Sequence, residues 1–152
     1  LSGISGKIVS ERLKNIVKAL NQINKEIAVV LPLHPRTRNI IQKNNIETQF
    51  QIIDPLGYFD MLGMLQKCHI VMTDSGGLQK EAFFFKKYCL TLRDETEWTE
   101  LVTNGYNFLV GADYGKIINT YSSLKHKSSN FDMPLYGDGN TGKKIIDILL
   151  SN

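Results

Sequence analysis

Apolar residues along this chain change period repeatedly. Residues 9–23 carry Leu13, Ile16, Val17 and Leu20 at helical spacing. IAVVLPL (27–33) then runs unbroken and rich in β-branched side chains, which suits a strand buried on both faces. The alternation continues to the end. Helices are expected at 36–44, 58–68, 78–87, 96–105, 113–124 and 140–150, and strands at 50–54, 69–73, 88–92 and 107–111. Strand–helix alternation with short links predicts an α/β fold, a Rossmann-like parallel sheet with helices on both faces. No internal repeat is visible, and SSLKHKSSN (122–130) reads as a surface link. In such sheets ligands bind beyond the carboxyl ends of the strands. That selects His34–Arg36, Asp54-Pro55, Thr73–Gly77, Arg93–Glu95 and Gly111.

Composition narrows the picture. The chain of 152 residues is expected to form one domain, residues 1–152, with a proper core. A net charge of +3 fits an anionic small molecule and is too weak to argue for nucleic acid. Cys68 and Cys89 lie in apolar stretches and read as reduced thiols of a cytoplasmic protein. No His/Cys cluster has metal-ligand spacing, so no metal and no cofactor are expected. No run is apolar enough to span a membrane. LSGISGK at the start lacks an initiator Met and reads as the interior of a longer protein, so a fragment or processed domain is expected. GDGNTGKK (137–144) matches the opening of a phosphate-binding loop, but Lys144 stands where magnesium binding needs Ser or Thr. No buried strand precedes it. It reads as a turn and helix start with Asn140 or Thr141 at the N-cap.

HIVMTDSGGLQKEAFFF (69–85) is the most informative stretch. A strand stops, a hydroxyl and two glycines form a corner, and a helix begins. Two readings stand. Ser75 or Asp74 caps a helix and the glycines serve its turn. Alternatively, Ser75, Gly76 and Gly77 bring a phosphate against the unpaired N–H groups and positive dipole of the helix start. Glu81 falls one turn into that helix, where its carboxylate could reach the ribose of a bound nucleotide. Its plainer role is a surface acid pairing with Lys80 or Lys87.

TDSGGLQKEAFFFKKYCLTLRDETEW (73–98) resembles the carboxyl-terminal domain of the non-hydrolysing UDP-N-acetylglucosamine 2-epimerases. LPLHPRT (31–37), IDPLGYFD (53–60), NGYNFLVGAD (104–113) and YGDGN (136–140) match in order. The resemblance implies the second domain of a glycosyltransferase-B-type fold, with a UDP-sugar held between two Rossmann-like halves. It places Ser75, Gly76 and Gly77 on the diphosphate and Glu81 on the ribose. The family reaction inverts C2 of the sugar by eliminating UDP and adding it back after reprotonation. Interconversion of UDP-GlcNAc and UDP-ManNAc is the leading expectation. A UDP-diacetamido-uronic acid epimerase, a glycosyltransferase-B donor domain and a non-catalytic nucleotide-sugar-binding domain are the alternatives.

The rest of the substrate-binding set is His34, Arg36, Met61, Arg93 and Glu97. His34 is read as cleft-facing on the family pattern, against a histidine satisfied by loop backbone. Arg36 and Arg38 are anion contacts or helix-surface cations. Met61 stands where members often place an aromatic near the uracil. Some members have Arg where this chain has Trp98, so phosphate charge is left to Arg93 or Arg36. Glu97 is the choice for a cleft residue within RDETE, against a solvated loop capped by Thr96 or Asp94. Trp98 reads as core or interface. Of Phe83, Phe84 and Phe85, at least one is expected to cover an interface. Catalytic residues are not assigned, because the family's His-Arg-Glu segment has no counterpart in LSGISGKIVSER. The chain alone is expected to hold nucleotide without turnover. The expected partners are a UDP-sugar and a missing amino-terminal domain, with no nucleic acid and no membrane. A homodimer is one option for the full-length form. A lone domain of this kind should expose an apolar flank.

Overall fold

A computed structural model describes residues 6–128, 131–137 and 139–151, with side chains from residue 10. The opening residues 1–5, residues 129 and 130 of the 122–130 link, Asp138 and Asn152 lie outside it. The expected elements occur in the expected order. They are α1 (Gly6–Ile23), β1 (Val30–Pro32), α2 (Pro35–Lys43), β2 (Gln51–Ile53), α3 (Tyr58–Lys67), β3 (Ile70–Thr73), α4 (Gly76–Phe84), β4 (Tyr88–Thr91), α5 (Thr99–Thr103), β5 (Asn107–Leu109), α6 (Tyr114–Leu124) and α7 (Thr141–Leu150).

Every strand pair is parallel, as strand–helix alternation requires, but the sheet is drawn in two ladders. β1 pairs with β2, Val30 opposite Gln51. β4 lies between β3 and β5, with Ile70 opposite Tyr88 and Cys89 opposite Asn107. The first strand is shorter than its apolar run suggests. The Val29 N–H is taken by the Asn24 side chain at 2.9 Å, so the chain joins the ladder only at Val30. Ile27 is left exposed.

β4 organises the core. Tyr88 and Leu90 point to one face and pack with Ala19 and Ile23 of α1 and Ile117, Tyr121 and Leu124 of α6. Cys89 points to the other and packs with Leu65 of α3, Val71 of β3 and Ala82 of α4. Period-two alternation thus serves helices on both faces. Burying a leucine as completely as Leu90 stabilises by about 1.5–3 kcal/mol. A separate cluster of Val17, Leu20, Leu33, Ile41 and Phe50 holds α1 and α2 to the two-stranded ladder. α7 is different. Ile145, Ile146, Ile148, Leu149 and Leu150 are all more than half exposed, and Phe59 and Phe84 add to the uncovered apolar surface.

Candidate functional site: the mouth of helix α4

Thr73 ends β3 and turns the chain. Its buried hydroxyl accepts the Ser75 N–H at 3.0 Å, which fixes Ser75 in an extended conformation. Helix α4 then starts at Gly76, two residues earlier than its apolar pattern predicts. Gly76 and Gly77 are therefore the first helical residues, not the turn before them. Ser75 occupies the N-cap position, yet its hydroxyl makes no cap hydrogen bond. The capping expectation is met in position and not in chemistry, so that hydroxyl is not spent on the helix. The N–H groups of the first turn have no intrahelical acceptor and carry the positive end of the dipole.

Gln79, fully buried on α4, holds this corner together, and the sequence reading missed it. Its Nε2 donates to the Ser75 carbonyl at 3.3 Å. Its Oε1 accepts from Thr96 Oγ1 at 2.7 Å, Thr91 Oγ1 at 3.2 Å and Asn107 Nδ2 at 3.3 Å. One amide thus ties the corner to the end of β4, the start of β5 and the loop after β4. The available signal was position: Gln79 shares a helix face with Ala82 and Phe83, both buried. Thr96, read as a helix cap, serves this hub instead. The N-cap of α5 is Trp98, whose N–H donates to Thr96 Oγ1 at 3.2 Å.

Trp98 pins the corner from outside, its indole N–H donating to the Gly76 carbonyl at 2.8 Å. It packs beside Phe83, Leu101 and Tyr106, as a core or interface residue should. The Lys80 ammonium lies 4.3 Å from the Tyr136 ring centre and 4.9 Å from that of Trp98, a cation–π arrangement. Tyr136 donates its phenol to Glu100 at 2.8 Å. Burial, then the Glu100 carboxylate, raises the Tyr136 pKa. Glu100 is lowered by its own backbone N–H first and by that phenol second.

The remaining candidates separate into two groups. Glu81 stays beside the corner, half-exposed on α4. Neither expected lysine pairs with it: Lys80 faces the aromatic rings and Lys87 donates to the Gln66 carbonyl at 3.3 Å. Arg93 and Glu97 form an ion pair at 3.1 Å. Glu97 Oε1 packs so closely on Gly76 that a Cβ there would collide with it, whereas the Cβ position of Gly77 is open.

His34 and Arg36 stand at the start of α2, and Met61 on α3. His34 caps α2 through Nδ1, which accepts the Arg36 N–H at 3.2 Å. It is exposed at the rim of a cavity of about 1450 Å³ between the ladders. That cavity has apolar walls, including Leu20, Leu31 and Met72, and a polar rim of His34, Asp74 and Arg93–Glu95. Arg36 is exposed on the first turn of α2, while Arg38 pairs with Asp54 at 2.9 Å. Met61 is half-buried on α3, and the α3 residues lining the cavity are Phe59, Asp60, Gly63, Met64 and Lys67. Ser75, Gly76, Gly77, Glu81 and Glu97 do not line it. Arg12, another residue the sequence reading passed over, joins α1 to the corner's outer loop through Asp94 at 3.0 Å. Asp94 in turn lies against Gly111, whose φ of +56° suits glycine and where a Cβ would collide.

The described part of the 137–144 segment, from Asn140 on, opens a helix. Asn140 is the N-cap of α7, and the described residues from 131 to 137 form no strand. No helix among the described residues is long and apolar enough to cross a membrane.

A parallel α/β fold in which a serine and two glycines open a helix is an arrangement chemically able to receive an anion. Comparison with known proteins places it further. The family model described as UDP-N-acetylglucosamine 2-epimerase matches residues 7–150, and the chain belongs to that family. It is 50% identical over 139 residues to the UDP-2,3-diacetamido-2,3-dideoxy-D-glucuronate 2-epimerase of Pseudomonas aeruginosa, an alignment covering 91% of this chain and 39% of that protein. The structure of UDP-GlcNAc 2-epimerase from Methanocaldococcus jannaschii superposes with a TM-score of 0.84 at 36% identity, over 94% of this chain and 42% of that one. A second structure of the M. jannaschii enzyme, in complex with UDP-GlcNAc and UDP, gives 0.78 at 36% identity, over 93% and 41%. The chain thus spans about 40% of the length of these relatives. The expected Rossmann-like α/β fold holds.

Proposed function

We propose that this chain is the UDP-binding, carboxyl-terminal domain of a UDP-sugar 2-epimerase. The observation that carries the reading is the mouth of α4. Ser75 has a hydroxyl not spent on the helix, Gly77 is open, and Glu81 waits one turn on without a lysine partner. Backbone N–H groups and the helix dipole suit the diphosphate, and the Glu81 carboxylate suits the ribose hydroxyls. In this reading the corner stabilises UDP as it leaves C1 of the sugar, because the departing diphosphate gains negative charge. The relatives support the same class: the second M. jannaschii structure is a complex with UDP-GlcNAc and UDP.

The sugar is a second question. UDP-GlcNAc is the leading reading by family description. The higher identity to the P. aeruginosa enzyme favours a UDP-diacetamido-uronic acid as the alternative. The remaining length of the relatives would supply the other wall of a cleft and the proton-transfer groups. The uncovered apolar side chains of α7 fit a surface that meets it. The chain alone then binds without turning over, and the complete protein acts in the cytoplasm. Calorimetric titration of the chain with UDP, UMP and UDP-GlcNAc tests the binding half. Heat from UDP and UDP-GlcNAc with Ser75→Ala weakened is expected, and no heat from either ligand overturns the reading. C2 proton exchange in deuterated water, followed with the complete protein, separates an epimerase from a transferase.

A further inference from the structure

Resting on the reading of the α4 mouth as a UDP site, we propose that Glu97 is a resident anion that closes this position until a diphosphate displaces it and takes over Arg93. One carboxylate spans both partners. Its Oε2 receives the Arg93 guanidinium at 3.1 Å, and its Oε1 sits on Gly76, leaving no room there even for a methyl group. Gly76 is the first residue of α4, so this oxygen lies on the side-chain side of Gly76, beside the end of the helix that favours negative charge. A phosphate oxygen cannot share that volume, and its charge repels the carboxylate. Ligand entry at Gly76 therefore requires Glu97 to leave.

The surroundings confine that movement to one side chain. On either side of Glu97 the chain is anchored: Thr96 donates to Gln79 at 2.7 Å and Trp98 donates to the Gly76 carbonyl at 2.8 Å. The Glu97 side chain itself is 49% exposed, so it can swing into water, and an exposed pair of this kind is weak. Arg93 then faces the arriving diphosphate, and a guanidinium accepts two phosphate oxygens as readily as a carboxylate. The exchange is anion for anion, and Arg93 is paired before and after it. A ligand without phosphate gains nothing by it. Glu97 thereby acts as a competitor that admits diphosphates over uncharged nucleosides.

The test is titration of the chain and its variants with UDP, by calorimetry, and with uridine, by amide chemical shifts. Glu97→Ala is expected to bind UDP about fivefold tighter, the worth of one exposed ion pair, with uridine unchanged. Glu97→Gln, which keeps the shape and removes the charge, is the second variant and should also tighten UDP. Arg93→Gln should weaken it. UDP binding that is weakened or unchanged in both Glu97 variants overturns the exchange alone, as does an equal gain for uridine. Absence of UDP binding in every protein overturns the site reading and the exchange with it.

Discussion

Strands β4 and β1 come from apolar runs of similar character, yet β4 is buried at all four positions and β1 is buried at none. The difference lies in what surrounds them. β4 has a strand on each side, α1 and α6 on one face and α3 and α4 on the other. Gln79 also anchors the polar side chain at its end. β1 has one paired edge, and its other edge faces the cavity between the ladders. Apolar content makes a strand available for burial, and neighbours decide how much is achieved. The candidate site follows the same division. Everything at the α4 mouth stands on the well-packed ladder, whereas His34 and Arg36 stand on the open one.

Truncations should expose this contrast most strongly. Leu90→Ala is expected to cost about 3 kcal/mol or more, because the fully buried site cannot collapse. Leu31→Ala, half-buried at the cavity wall, should cost about 1 kcal/mol. Urea denaturation of both variants measures the gap, and equal losses would mean that the ladders are equally packed. Gln79→Ala comes next, at about 2–3 kcal/mol, since it strands several buried hydrogen-bonding groups at once. The same experiment on exposed Gln51 of β2 should move stability by less than about 0.5 kcal/mol.

Thiol chemistry gives a smaller and local comparison. Burial pushes the Cys89 thiol up to about 12, against a weaker opposing bond from Thr91, so at neutral pH it stays protonated. Cys68 is also raised by burial but is only partly covered. An aromatic disulfide reagent should modify Cys68 in the native chain and reach Cys89 only on unfolding. Simultaneous modification would show that the β4 face opens readily. The smallest effect concerns Glu100. Its folded-state pKa is lowered, so its contribution to stability is present above its ordinary value of 4.5 and is lost as pH falls through the folded value. Tyr136→Phe removes the second-largest of the causes that lower it and should slightly flatten the acid limb of a stability–pH curve. An unchanged limb would mean that the phenol contributes nothing.

The sequence carried much of this architecture because period and length are local properties. Each strand and helix was visible as a run, and the motif at 73–81 pointed to one strand end. Boundaries were less visible. β1 starts only at Val30, because the Val29 N–H donates to the Asn24 side chain, and α4 gains two glycines that propensity alone would exclude. The site's internal wiring was not legible. Gln79, Arg12 and the Glu97–Gly76 contact join residues from different elements, and no local pattern announces such pairings. Met61, standing where the family often has an aromatic, is absent from the lining of the cavity between the ladders.

The claim at the centre is that the first turn of α4 grips the pyrophosphate of UDP. Titrating isotope-labelled chain with UDP while recording amide resonances tests it most directly. The largest shifts are expected at Ser75, Gly76, Gly77 and Leu78, with smaller ones at Glu81 and Glu97. Shifts confined to the cavity rim around His34, or none at all, would contradict the account.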